Sequence, residues 1–361
     1  MAPSEHGTTQ LNRRGFFLGA GAAAVSGVAG LALARPALAA ADEGPSVAAA
    51  GGTFDLSVPA ERRIREAALH HVTVMQSFAF DDVNHHLYAI QVMQGGLRLT
   101  GEPAAVSGAD RAARGDMCIT KLTAAGAELG HMYVRGFGHG VAIGVEHAGA
   151  TPWLWTESDA NPSSGYGRAL SRYRFTNGAV LDSGSASLAK IRPVPGSTSN
   201  QVSIDNLNQL LLLRYRLGGI ARYRLMRLAD VKAGRFTALY DVPQAGVSAS
   251  EVFQGFAVLG DHAYQMTGTA YTSESGSNPP SGRGNTYLTR LDLRTGTVTQ
   301  RSRTEAAYSL GFREPEGVAV RLSSPRRLCL RLRQLRSPEV QRLRQAAVTR
   351  AADRFSAKPS P

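Results

Sequence analysis

One five-residue pattern recurs five times at nearly even spacing, and few architectures accommodate that. Gln76-Ser77-Phe78-Ala79-Phe80 is answered by His139-Gly140-Val141-Ala142-Ile143 and by Asn200-Gln201-Val202-Ser203-Ile204. Gln254-Gly255-Phe256-Ala257-Val258 and Glu316-Gly317-Val318-Ala319-Val320 complete the set, at intervals of 63, 61, 54 and 62 residues. Each echo reads polar, usually small, apolar, small, apolar, which is the alternation of a strand. A fixed period of this length marks a fold built from repeated supersecondary units.

Further β-rich runs fill the intervals. Leu87–Val92, Trp153–Trp155 and Leu210–Tyr215 follow the first three echoes. The turns Asp81-Asp82-Val83-Asn84 and Asp205-Asn206-Leu207-Asn208 match in length and chemistry. Hairpins are expected at Cys118–Leu122 with Glu128–Val134, at Arg172–Phe175 with Ala179–Leu181, and at Tyr287–Leu293 with Thr297–Thr299. Four short strands in each of five units predict an all-β fold, a five-bladed β-propeller over residues 53–320. An irregular β-sandwich is the alternative, and would show about two strands per period. The first strand of each blade then lines a central channel. The small residues Ala79, Ala142, Ser203, Ala257 and Ala319 are explained by crowding at the axis. The alternating run Thr53–Val58 is expected to join the fifth blade as a strand and close the ring.

Residues 1–40 read as a twin-arginine signal peptide. Asn12-Arg13-Arg14-Gly15-Phe16-Phe17-Leu18 precedes an uncharged Gly/Ala/Val/Leu stretch, and Ala37-Leu38-Ala39 suits a signal peptidase. An uncleaved anchor is the other reading of this segment. Residues 41–52 form a linker. No later stretch is apolar enough to span a membrane, so the mature chain is expected to be secreted, extracellular or wall-associated.

The net charge of +12 sits mainly at the ends. Residues 321–361 carry ten Arg and Lys358 against Glu339 and Asp353, and the leader adds Arg13, Arg14 and Arg35 against Glu5. The body between them is close to neutral, which argues against a nucleic-acid grip. Two distant cysteines, Cys118 and Cys329, exclude a disulfide framework or a Cys-based metal site.

Four motifs resemble a known family: Thr73–Phe80, Gly136-Phe137-Gly138-His139-Gly140, Trp153-Leu154-Trp155-Thr156-Glu157 and Arg313-Glu314-Pro315-Glu316-Gly317. From about Phe54 to Val320 the chain resembles the secreted teichoic acid biosynthesis protein C group of actinobacterial proteins. That group is similar to the propeller domain of phage receptor-binding proteins that recognise wall teichoic acid. The resemblance implies a propeller connected with a cell-wall glycopolymer, and it carries over no catalytic residue. Beyond Val320 the chain departs from the family: Arg recurs every few residues and no Gly follows Gly317. Residues 321–361 are therefore read as an Arg-rich tail produced by a frameshift. The rival is a basic amphipathic helix with Leu328, Leu332, Leu335 and Leu343 on one face.

The leading residues of the echoes, Gln76, His139, Asn200, Gln254 and Glu316, are expected at one end of the channel. They either satisfy one another and channel water, or hold a polar ligand. Glu316 and His139 offer the donors for a divalent metal ion. Glu316 beside Gly317 also resembles the metal-binding Glu of propeller lactonases, so a metal-dependent hydrolase acting at the channel end is the rival function. An anionic glycopolymer needs aromatic faces and cations for its phosphates, and the loop Glu157–Tyr173 supplies Asn161, Tyr166, Arg168 and Arg172. Trp153 and Trp155 are expected to pack between blades. The pairs His70-His71 and His85-His86 point to opposite faces if in strands. No phosphate loop, nucleophile elbow or helical His-Glu metal motif is present. The candidates are thus a glycopolymer-binding module, a metal-dependent hydrolase, and a scaffold for another wall or envelope protein.

Overall fold

The computed structural model describes residues 52–65 and 67–334. The expected signal peptide, the expected linker up to Gly51 and the tail beyond Gln334 lie outside the described residues. The described residues form five sheets, antiparallel except for one parallel pairing in the first. The first holds β1 (Met75–Asp81), β2 (His86–Val92), β3 (Met117–Thr123) and β4 (Glu128–Arg135). The second holds β5 (Gly144–Glu146), β6 (Trp153–Ala160) and β7 (Gly167–Arg174), after which β8 (Val180–Asp182) returns to the first sheet. The third comprises β9 (Thr198–Asp205), β10 (Leu210–Leu217), β11 (Ile220–Arg227) and β12 (Tyr240–Pro243). The fourth comprises β13 (Phe253–Leu259), β14 (His262–Thr267), β15 (Tyr287–Asp292) and β16 (Thr297–Arg303). The fifth pairs β17 (Glu314–Arg321) with β18 (Arg327–Arg333).

Strand alternation turns these sheets into a ring, because each strand faces two neighbours at once. Tyr88 and Ile90 pack with Val145, Leu154 and Tyr173 of the second sheet, whereas Leu87 and Ala89 pack with Ala319 of the fifth. Leu211 and Leu213 meet Trp155 and Leu170, while Leu210 and Leu212 meet Phe256 and Val258. Ala257 and Leu259 then face Val318. Five apolar clusters thus join five sheets, and the last returns to the first. This is a propeller.

The repeated turns are near copies. Asn84 Nδ2 donates to Asp81 Oδ2 at 2.8 Å, and Asn208 Nδ2 to Asp205 Oδ2 at 2.7 Å. The residues that end these turns, His85 and Gln209, are both left-handed. The same turns latch neighbouring sheets: Asp82 accepts from Leu322 N, Asn206 donates to Val145 O, and Asp205 accepts from Gly260 N.

Several expectations are corrected. The run Thr53–Val58 forms no strand. Its Phe54 and Leu56 amides bond instead to the Tyr264 hydroxyl and the Gln300 side chain, and Leu56 is buried between the fourth and fifth sheets. The hairpin expected between Arg172–Phe175 and Ala179–Leu181 does not form. β8 runs parallel to β4 because the open edge of β4 accepts it, with Gly178 N donating to His131 O and Tyr133 N to Ala179 O. The second echo, His139–Ile143, precedes its strand rather than lying in it. The amphipathic helix does not hold for Arg327–Arg333, which is a strand whose Leu328 and Leu330 pack in the core. Sheet pairing therefore continues past the boundary placed at Val320. Cys118 and Cys329 are both free thiols. No helix among the described residues is long and apolar enough to cross a membrane.

Candidate functional site

The axis is closed by backbone at the second position of the echo. A Cβ on Gly317 would stand 2.8 Å from Ser77 Cα. One on Gly255 would stand 3.0 Å from Gly317 Cα and 3.4 Å from Val141 O, which belongs to the segment entering the second sheet. Ser77 Oγ meanwhile donates to Gly140 O at 2.6 Å. Crowding is therefore tightest at this position. The fourth-position residues Ala79, Ala142, Ser203 and Ala319 line a cavity nearer the turn end, and Ala257 packs between sheets instead.

The leading residues of the echoes are deeply set. Gln76, Asn200, Gln254 and Glu316 are buried and His139 is half-buried. Gln254 Nε2 donates to Gly268 O at 2.8 Å, and Asn200 Oδ1 accepts from Ser197 Oγ at 3.0 Å. Glu316 acts electrostatically on the Arg331 guanidinium, whose pKa burial lowers to about 10.

Glu157 organises the second sheet's end of this mouth. The side chain is fully buried, and its Oε1 accepts the His139 and Gly140 amides at 2.9 and 2.6 Å. Oε2 accepts Gly167 N at 2.6 Å. The carboxylate replaces the ladder partners that the second echo lacks, which explains why that echo is not a strand. Burial pushes its pKa up to about 7, against the backbone donors that favour the charged form. The arrangement presents the His139 ring stacked on Tyr166 at 5.0 Å.

Beside this stack lies a cation that the sequence reading passed over. Arg214 of β10 is 5% exposed; its Nη1 donates to Gln201 Oε1 and its Nε to Gln244 Oε1, both at 2.9 Å. The guanidinium lies 4.0 Å over the Phe253 ring. Burial lowers its pKa, and Tyr223, Arg216, Tyr166 and Glu157 all act on it electrostatically. Arg216 follows two residues on and is half-buried. The signal that could have found this site was a charged residue directly after the buried run Leu210–Leu213.

The loop residues named from sequence do not converge. Tyr166 joins His139, but Arg168 is 44% exposed and pairs with Asp159 at 3.1 Å. Asp159 also binds Arg192 at 2.6 Å. Asn161 Oδ1 accepts Ser163 N, fixing its own turn. Arg172 is held by both oxygens of buried Glu146 at 2.7 and 3.0 Å and stacks on Trp153 at 3.8 Å. Trp155 is fully buried between sheets and donates to Glu146, while Trp153 is half-buried.

A metal-type cluster lies elsewhere. Among the described residues, His70, Glu128 and His131 bring ligand atoms within 4.8 Å of one another, and neither His139 nor Glu316 belongs to such a group. His70 stacks on His131 at 3.4 Å, and its Nδ1 and Nε2 contact Glu128 and Tyr133 at 3.0 and 3.1 Å. Burial lowers both imidazoles to about 4.

A ring of sheets packed tightly at its axis, with cationic and aromatic groups near one end, defines a β-propeller. The chain belongs to the family of phage five-bladed β-propeller receptor-binding platform domains, which matches residues 74–325. It is 26% identical over 278 residues to a protein of Bacillus subtilis (strain 168) provisionally named major teichoic acid biosynthesis protein C. That alignment covers 74% of this chain and 57% of the relative, so the chain spans little more than half of it. The tail fibre of Staphylococcus aureus phage P68 shares the fold at a TM-score of 0.51 and 20% identity, over 72% of this chain and 46% of the fibre.

Proposed function

We propose that this chain is an exported envelope propeller that binds, or helps to assemble, an anionic cell-wall glycopolymer of the teichoic acid type. The observation that carries the proposal is the mouth itself: Arg214 and Arg216 lie with His139, Tyr166 and Phe253, drawn from three consecutive sheets. Arginine pairs with phosphate and aromatic faces stack on sugars or polyols. Membership of a receptor-binding platform family and the name of the B. subtilis relative support the same reading. In this proposal the propeller has five blades. The fifth is β17 and β18, covered on one side by Leu56 and Phe54. The twin-arginine leader delivers it folded to the wall.

Sedimentation of residues 41–361 with purified walls tests this, before and after mild acid extraction of the anionic polymer. Binding lost on extraction is the expected result. Equal binding to both walls, or binding to neither by folded protein, overturns it. Metal analysis of the same sample addresses the hydrolase reading, which requires stoichiometric metal.

A further inference from the structure

Among the described residues three arginines are buried, and two of them are neutralised or saturated. Arg111 is fully buried and salt-bridged to both Glu102 and Asp116. Arg313, also fully buried, spends Nε, Nη1 and Nη2 on Ala306 O, Thr286 Oγ1 and Thr304 O. Arg214 differs. It forms no ion pair among the described residues: Nε and Nη1 donate to neutral amide oxygens, and the Tyr223 hydroxyl, also neutral, is a further hydrogen-bond partner. A second cation, Arg216, lies close enough to lower its pKa. Holding a guanidinium out of water beside a like charge, with only neutral groups bonded to it, is unfavourable unless something compensates it.

We propose that Arg214 is the centre of an anion subsite at the mouth of the propeller, which takes the phosphate group of a phosphate ester. Gln201 and Gln244 fix the guanidinium plane through Nη1 and Nε. Phe253 covers one face of it, and Nη2, which neither glutamine holds, is the edge that would meet the anion. Arg216, whose Nη1 donates to Gly219 O, adds a second positive charge nearby. The Tyr166–His139 stack lies on the same side and would take the polyol or sugar next to the phosphate. The nearby Glu157 carboxylate does not compete for the guanidinium, because its oxygens are already occupied by backbone N–H groups. This subsite deepens the glycopolymer reading and rests on it for its polymer, though not for its anion.

The test is calorimetric titration of residues 41–361 with inorganic phosphate and with glycerophosphoglycerol, a phosphodiester. Two variants accompany the wild type. Arg214→Gln removes the charge. Gln201→Glu keeps an acceptor for Nη1 but places a carboxylate on the guanidinium, so it neutralises the site without emptying it. Saturable binding to the wild type is expected, weakened about tenfold or more in each folded variant. If Arg214→Gln fails to fold, Gln201→Glu alone decides. Tighter binding of the diester than of inorganic phosphate identifies a polymer linkage as the source; the reverse identifies free phosphate. No binding of either probe, or wild-type affinity in Gln201→Glu, overturns the subsite. Wall sedimentation separates the two proposals. Walls retained by Gln201→Glu as by wild type sink the subsite and leave the polymer reading intact. Phosphate binding that the variant abolishes, in a protein that ignores walls, does the opposite.

Discussion

Gly255 of β13 stands so close to Gly317 of β17 that a Cβ on the former would lie 3.0 Å from the Cα of the latter. Contacts this tight bring the innermost segments of the first, second, fourth and fifth sheets together at the axis. The same closeness makes a Cβ unfavourable at either glycine. Both also have positive φ, +149° and +82°.

Gly317→Ala is expected to cost about 3 kcal/mol, since the new Cβ meets the backbone of Ser77 and adds strain at left-handed φ. In a domain of this size that lowers Tm by roughly 5–10 °C. Gly178 also has left-handed φ but open space around it, so Gly178→Ala should cost only about 1 kcal/mol of strain. Melting curves of the two variants, read by circular dichroism, check the difference.

Leu56 is 6% exposed between the fourth and fifth sheets. Leu56→Ala should destabilise the fold by about 2–3 kcal/mol through lost burial and an unfilled gap. A change below a few tenths of a kcal/mol in the urea midpoint would mean that the segment after the linker does not cover the fifth sheet.

The strand Arg327–Arg333 is expected to contribute to stability, although its sequence reads as a foreign tail. Leu330→Asp places a charge among Val318, Met266 and Leu56 and should cost about 2–3 kcal/mol. A tail merely appended to a finished fold would tolerate that change. Limited proteolysis would show the difference directly, as faster cleavage between β17 and β18 in the variant.

Glu157 should make stability depend on pH. Its folded pKa of about 7 lies above the ordinary 4.5, so the folded protein holds an extra proton between those values. Stability from this group is full below pH 4.5 and is lost as pH rises through 7, over a range of order 3 kcal/mol. His70 and His131, lowered to about 4, act in the opposite sense and lose stability as pH falls from 6.5. The difference between wild type and Glu157→Gln isolates the carboxyl: urea midpoints from pH 5 to 8 should decline in the wild type relative to the variant.

Much of the fold was legible because its signals are local. The echoes occupy the innermost strands of four sheets and approach the second. The Asp81–Asn84 and Asp205–Asn208 turns are set by side chains bonding within four residues. Tyr166 was legible as an aromatic in a polar loop. Arg168 and Arg172 were read as free cations, and only the fold brought Asp159 and Glu146 against them. Arg214 was missed for the converse reason. Its neighbours Gln201 and Gln244 lie 13 and 30 residues away, and nothing in the chain announces which arginines will lack a carboxylate.

The amino-acid sequence by itself determined that this is an all-β propeller with tight polar turns, because strand alternation and turn chemistry act over a few residues. Only the tertiary structure decided how the ring closes and what its mouth presents. Leu56 seals a sheet by packing without pairing, β8 joins β4 because an open edge lay nearby, and Arg214 is buried without an ion pair among the described residues. Each of these depends on which distant side chains come within a few ångströms, and at that range desolvation and packing outweigh any preference of the local chain.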